Sequence, residues 1–273
     1  MTEPLPPVLL VGCGKMGGAL LSGWLARGLL RAVVVEPAKP AAAPFAGRAE
    51  FVPDAEAIPD GFVPAAVVLA IKPQEAATTL PAYARFATGP GGGAVFVSIM
   101  AGKTASGIAA LLGGSAAVVR AMPNTPAAIG QGFTVATAGR GVTAPQRGLA
   151  DALLAATGEV AWTDAESHLD AVTAVSGGGP AYVFLLAELL EKAATEQGLP
   201  ADLARRMARA TVAGSGALLA ASAEDAATLR TNVTSPKGTT EQALAVLMAE
   251  AAWPALVSRA VAAATERSRE LAR

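Results

Sequence analysis

The chain reads as an α/β protein, an N-terminal Rossmann-type parallel-sheet domain followed by an all-α dimerisation domain. Three observations predict it. Short apolar runs alternate with helical patterns over roughly the first 160 residues. A G-x-G-x-x-G turn follows the first of those runs directly. After Thr163-Asp164 the strand signals stop and helical patterns alone remain. The boundary is drawn there, giving a nucleotide-binding domain over residues 1–163 and a helical substrate and dimerisation domain over 164–273.

Val8-Leu9-Leu10-Val11 is the short apolar run expected of a strand buried on both faces. Gly12-Cys13-Gly14-Lys15-Met16-Gly17-Gly18 follows, then the helical pattern Ala19-Leu20-Leu21-x-x-Trp24-Leu25, ending at Gly28. In a dinucleotide fold Gly12 permits the turn, Gly14 lets the backbone approach a pyrophosphate, and Gly17 lets the helix pack close to the strand. The alternative is a plain glycine-rich turn. Cys13 reads as a small packed residue. Lys15 is either a solvated charge or a phosphate contact. The second strand, Ala32 to Val35, closes at Glu36-Pro37. Glu36 stands where an acidic residue commonly holds the ribose 2′-hydroxyl of NAD and repels the 2′-phosphate of NADP. A strand-end charge in water is the other reading. Lys39 follows closely and offsets part of the repulsion, so Glu36 tilts toward NADH without deciding against NADPH.

Glu50-Phe51-Val52 is a weak third strand and Ala66 to Ile71 a strong fourth, stopping at Lys72-Pro73-Gln74. Carboxyl ends of parallel strands face the cofactor crevice, which puts Lys72 and Pro73 beside the nucleotide. Ala94 to Ser98 is a fifth strand, with the turn Ala101-Gly102 after it. Ala116 to Arg120 is a sixth and runs into Met122-Pro123-Asn124-Thr125-Pro126. That segment is either a rigid polar bend near a nicotinamide ring or a simple turn. Phe133 to Ala136 and Glu159 to Trp162 flank a helix from Ala144 to Ala156.

The second half is read as helices over 166–174, 181–197, 201–221, a short one after Glu224, then 240–248 and 254–271. Ser176-Gly177-Gly178-Gly179-Pro180 is expected to break the chain. Ala210, Ala213, Gly214 and Gly216 suit close helix packing. The stretch Tyr182 to Leu190 is apolar nearly all round and must be covered on every side. The half is therefore expected to dimerise by interleaving helices.

Composition narrows the chemistry. A net charge of −1 over 273 residues, with no long charged run, points away from nucleic acid and anionic membranes. One cysteine and one histidine exclude a disulfide framework, a multi-histidine metal site and a metal cluster of cysteines. His168 reads as a solvated helix residue. No basic and apolar leader is seen at Met1 to Pro7, and no unbroken apolar run is read as long enough to span a bilayer. A reducing cytoplasmic setting is expected.

A Rossmann-type half with helices behind it suggests a reductase. The β-hydroxyacid dehydrogenases share the plan but carry a catalytic Lys on the helix after the glycine-rich break. Here Gly179-Pro180-Ala181-Tyr182-Val183-Phe184-Leu185-Leu186 has none. Alcohol and ketone interconversion needs such an acid or base. An imine, already protonated near neutral pH, takes hydride without one. The loop Val233-Thr234-Ser235-Pro236-Lys237-Gly238-Thr239-Thr240-Glu241 ends as a helix begins, with Thr239-x-x-Gln242 as a capping box. Such an end attracts carboxylates, or it is an ordinary cap with a surface loop.

These motifs together resemble the pyrroline-5-carboxylate reductases, with the match running along the whole chain. It is carried by Gly12 to Gly17, Ala70 to Pro73, Met122 to Pro126, Ser176 to Tyr182 and Val233 to Thr240. The family often has Ser at Gly178 and Gly at Lys237. The resemblance implies hydride transfer from NADPH or NADH to the C=N carbon of 1-pyrroline-5-carboxylate, giving L-proline. It implies that Ser235 and the N–H groups of Thr239 and Thr240 hold the substrate carboxylate, with Gly238 and Pro180 also at the substrate. The Thr240 hydroxyl meets the ring nitrogen. The implied cofactor residues are Gly12, Gly14, Lys15, Met16, Gly17, Glu36, Ala70, Lys72, Pro73, Ala101 and Asn124. No metal is implied. The implied active site forms between the nucleotide domain of one subunit and helices of its partner, in dimers that often assemble into decamers.

Overall fold

A computed structural model describes residues 4–88 and 93–272, without the side chains of 39–41 and 272, so the Lys39 side chain lies outside the described residues. Two compact units result: Met1–Gly177 joined by Ala264–Arg273, and Gly178–Ala263.

The first unit is built on one eight-stranded sheet. In chain order its elements are β1 (Val8–Val11), α1 (Lys15–Ala26), β2 (Ala32–Val35), β3 (Glu50–Val52), β4 (Ala66–Leu69) and the short α2 (Ala76–Thr79). Then come β5 (Val95–Ser98), α3 (Ala105–Leu111), β6 (Val118–Met122), β7 (Gly132–Ala138), α4 (Ala144–Leu154) and β8 (Gly158–Trp162). The spatial order is β3-β2-β1-β4-β5-β6-β7-β8. Strands β1 to β6 pair in parallel. The order reverses between β1 and β4, which is where doubly wound sheets open a ligand crevice.

The continuous apolar runs are explained by burial on both faces. Leu9, Val11, Val33 and Phe96 point into one core, and Leu10, Val34, Val68 and Val97 into the other. Alternate side chains of a strand face opposite ways, so each run feeds two cores. Trp24 on α1 is buried and donates its indole N–H to the Leu153 carbonyl at 2.8 Å, tying α1 to α4.

Strand β7 departs from the parallel pattern. It lies antiparallel to β6, and β8 is parallel to β7. A parallel return needs a crossover of about a dozen residues or more. Residues 123–131 are too few, and the chain turns back through a 3-10 turn, Thr125–Ile129.

Beyond the sheet, α5 (His168–Val172) runs through a π-turn, Thr173–Gly177, into α6 (Gly179–Glu196). The expected break at Ser176 to Pro180 is therefore not a break. Pro180 falls in the first turn of α6, where its missing N–H has no intrahelical duty. The π-turn absorbs the misfit. The helical stretch His168–Glu196, with a window of mean hydropathy 1.3, is long and apolar enough by length and composition to cross a membrane. This corrects the sequence reading, which counted the glycines as an interruption.

The second unit holds α6, α7 (Ala201–Ala221), α8 (Ala226–Asn232), α9 (Thr239–Leu247) and the start of α10 (Trp253–Ala272). The end of α10 belongs to the first unit, where Ser268 donates its hydroxyl to Asp170 at 2.7 Å. Helices α6 and α7 bury little: Ala194, Ala204 and Ala208. Phe184, Leu185, Leu189, Leu218 and Val257 stay exposed. A side chain added at Gly214 or Gly216 would meet nothing within 4 Å. Among the described residues, the close packing expected of that small-residue stripe is thus not made at these two glycines.

Candidate active site

The carboxyl ends of the parallel strands deliver the predicted nucleotide residues to one region. Gly12 follows β1, Glu36 follows β2, and Ala70 to Lys72 follow β4. These border a cleft of about 730 Å³, which Gly14, Asp54, Glu56, Glu75, Thr78 and Tyr83 also line. That volume suits a small-molecule ligand.

The glycines explain how the cleft stays open. Gly12 has φ +90°, and a Cβ there would stand 2.7 Å from the Ala70 carbonyl oxygen. A Cβ on Gly17 would lie 2.3 Å from the Gly12 oxygen, so the helix can sit this close to the turn because both are glycine. A Cβ on Gly14 would meet nothing, which leaves its face clear for a ligand. Helix α1 starts at Lys15 with no side-chain cap on Gly14. The N–H groups of Lys15, Met16 and Gly17 thus have no intrahelical acceptor and favour an anion. These features fit the pyrophosphate of a dinucleotide.

Glu36 is bound into the turn. Its Oε2 accepts from the Cys13 N–H at 2.8 Å and its Oε1 from the Ala38 N–H at 2.9 Å. Burial first, then the Glu36 carboxylate, pushes the Cys13 thiol up to about 11, so it stays neutral and packed. Burial and then Asp54 push the Tyr83 phenol up to about 12.

Other predicted residues lie outside the cleft lining. Lys15 and Met16 sit on the first turn of α1, Pro73 opens a 3-10 turn, and Ala101 lies in the turn after β5. Asn124 is occupied by the fold: its Oδ1 accepts from the Phe133 N–H at 2.9 Å and its Nδ2 donates to Ser176 Oγ at 3.2 Å. Sequence reasoning does not single out Asp54, Glu56 or Glu75. Asp54 and Glu56 were within reach of the rule used for Lys72, since they follow the carboxyl end of β3.

In the second unit, Pro236 and Lys237 form the middle of a turn closed by the Gly238 N–H on the Ser235 carbonyl at 3.0 Å. Lys237 has φ +60°, the conformation a type II turn asks of its third residue and normally fills with glycine. The capping box expected at Thr239 and Gln242 does not form. Gly238 is the N-cap and has no side-chain cap bond. Glu241 instead reaches back to accept from the Lys237 N–H at 2.8 Å. The first backbone bond of α9 comes from Gln242. The N–H groups of Thr239, Thr240 and Glu241 are left without an intrahelical acceptor. The Ser235 and Thr240 side chains are exposed beside them. In the first unit, His168 has its Nδ1 at 2.7 Å from the Thr163 hydroxyl.

Comparison with known proteins now bears on this geometry. Residues 166–271 match the family described as pyrroline-5-carboxylate reductase dimerisation. Residues 7–102 match the family described as NADP oxidoreductase, coenzyme F420-dependent. The pyrroline-5-carboxylate reductase of Pseudomonas aeruginosa is 40% identical over 274 residues, covering 98% of this chain and 97% of that protein. The chain belongs to the pyrroline-5-carboxylate reductase family. A solved pyrroline-5-carboxylate reductase from Coxiella burnetii superposes with a TM-score of 0.88 at 30% identity, over 97% of this chain and 98% of that one. The Plasmodium falciparum enzyme, solved with NADP bound, gives 0.80 at 25% identity, over 98% of this chain and 100% of the other. Members of this reductase family thus share both units of the chain, and the family's dimerisation region, residues 166–271, spans the whole helical unit.

Proposed function

We propose that the chain reduces 1-pyrroline-5-carboxylate to L-proline, the last step of proline biosynthesis, at the expense of NADPH or NADH. The observation that carries this reading is the start of α9, where acceptor-free N–H groups and two exposed hydroxyls lie within a few residues. That is a carboxylate clamp without a dedicated cation. A dinucleotide held at the Gly12–Gly17 turn would supply the hydride that the C=N carbon accepts. Ser235 and the N–H groups of Thr239 and Thr240 hold the carboxylate, with Gly238 and Pro180 shaping the substrate site. The Thr240 hydroxyl hydrogen-bonds the ring nitrogen and orients the imine face. Orientation is the main demand on the protein, because a protonated imine accepts hydride without a strong general acid. The sequence matches this demand, with no lysine on the first turns of α6 and one histidine, held by Thr163.

In the same reading, residues 1–163 bind the dinucleotide through Gly12, Gly14, Lys15, Met16, Gly17, Glu36, Ala70, Lys72, Pro73, Ala101 and Asn124. Residues 164–273 form the substrate and dimerisation domain. The exposed apolar face of α6 and α7 supports a dimer of interleaved helices, and the resemblance alone supports a decamer of such dimers. Dimer burial also accounts for the apolar stretch of α6 without a membrane. The near-zero net charge supports a protein with no nucleic-acid partner, and the single cysteine is in keeping with a reducing cytoplasmic setting.

The test is Thr240→Ala. It is expected to lower kcat with pyrroline-5-carboxylate by on the order of a hundredfold while dinucleotide affinity and melting temperature hold. Unchanged kcat and KM would remove Thr240 from the chemistry.

A further inference from the structure

We infer that the nucleotide cleft selects NADH over NADPH, with Glu36 as the residue that turns the 2′-phosphate away. The inference rests on the dinucleotide reading of that cleft and goes beyond it. Glu36 follows β2, the position from which a dinucleotide fold inspects the adenosine ribose. Its two oxygens are each held by a backbone N–H, from Cys13 at 2.8 Å and from Ala38 at 2.9 Å. A carboxylate anchored twice cannot swing aside for a phosphate without leaving both donors unpaired. Each oxygen keeps a second lone pair, so it can still accept from a ribose hydroxyl.

The rest of the lining points the same way. Glu36, Asp54, Glu56 and Glu75 border the cleft, and among the described residues Lys72 is its single basic one. A 2′-phosphate brings nearly two more negative charges into this setting. Among the described residues of the lining there is no guanidinium to receive it. Arg31, at the other end of β2, is paired with Glu50 at 2.9 Å. Nor do the carboxylates make a metal site that would reverse the field. Among the described residues no group of three His, Cys, Asp or Glu side chains is placed to hold an ion.

The experiment is calorimetric titration of the full chain with ADP-ribose and with its 2′-phosphorylated form, which carry the ribose edge without the reaction. NADH and NADPH are titrated in parallel. ADP-ribose is expected to bind about a hundredfold tighter than the phosphorylated form, the usual scale of a juxtaposed like charge. Glu36→Gln, which keeps one acceptor oxygen, and Glu36→Ser should each shrink that ratio at least tenfold, with thermal melting showing that the variants remain folded. Lys39→Ala should leave the wild-type preference in place. Equal or tighter binding of the phosphorylated form by the wild type would overturn the inference and leave the cleft reading intact. An unchanged ratio in both Glu36 variants would overturn the role given to Glu36. No binding of any of the four would bring down the cleft reading and the inference with it.

Discussion

The sheet unit and the helical unit are written in different physical terms. In the first, the largest apolar side chains, Trp24, Phe96, Leu9 and Leu10 among them, are fully buried within the chain. In the second, Phe184 is 67% exposed and Leu185 51%. A monomer rarely leaves so much contiguous apolar surface in water. The contrast teaches that the first unit completes its own core, whereas the second has a hydrophobic face meant for another surface. The family's dimerisation region covers that same unit.

The widest break in this comparison comes from charging the exposed face. Phe184→Glu with Leu185→Glu is expected to reduce the solution mass from dimer to monomer and weaken association by several hundredfold or more, since each buried unpaired charge costs several kcal/mol. Sedimentation at micromolar concentration reads it. An unchanged dimer would mean that this face is covered by something other than a second copy.

Next in size is a cavity in the self-sufficient unit. Phe96→Ala on β5, at 0% exposure, should cost about 3–5 kcal/mol in urea unfolding. The dimer should persist in the folded fraction. Loss of the dimer before loss of the sheet would blur the division between the units.

A third effect is confined to the first unit and appears at alkaline pH. Burial and Glu36 raise the Cys13 thiol from 9.0 to about 11. Burial and Asp54 raise the Tyr83 phenol from 10.0 to about 12, with Arg85 opposing. The fold favours both neutral forms. Their contribution is whole below about pH 9 and is lost as pH climbs through the folded values near 11 and 12. Cys13 alone should account for on the order of 2 kcal/mol of that decline. Urea midpoints measured across the range should fall, and Cys13→Ala should flatten the lower part. An identical slope in that variant would acquit the thiol.

The smallest effect sharpens the comparison from the helical side. Lys237 holds φ +60°, where a side chain is strained and glycine is not. Lys237→Gly should stabilise by about 0.5 kcal/mol, the strain relief being partly offset by the freer unfolded chain. A drop in stability would show that the lysine side chain makes a compensating contact in the assembled protein.

Much of this protein was legible from residue order alone. The strands Val8–Val11, Ala32–Val35 and Glu50–Val52 and the helix Ala201–Ala221 have the borders the pattern predicts. The glycine turn, the carboxyl-end rule that brings Lys72 to the cleft and the helix start beside Thr239 were legible too. Each is a short-range signal: apolar periodicity, a φ that glycine alone tolerates, an N–H row at a helix end.

Other features belong to the tertiary structure. The reversed direction of β7 followed from the length of its link to β6. The continuity of α5 into α6 followed from a π-turn that no local propensity announces. The ion pair of buried Arg120 with Glu166, 46 residues apart at 3.2 Å, joins groups whose sequence neighbours say nothing of each other. The anchoring of Glu36 by Cys13 likewise spans 23 residues. Local sequence determines which segments become strands, helices and turns, because those choices depend on neighbouring residues. Pairing direction, the partners of a carboxylate and the side that stays exposed depend on loop closure and burial over long separations, and the folded chain alone decides them.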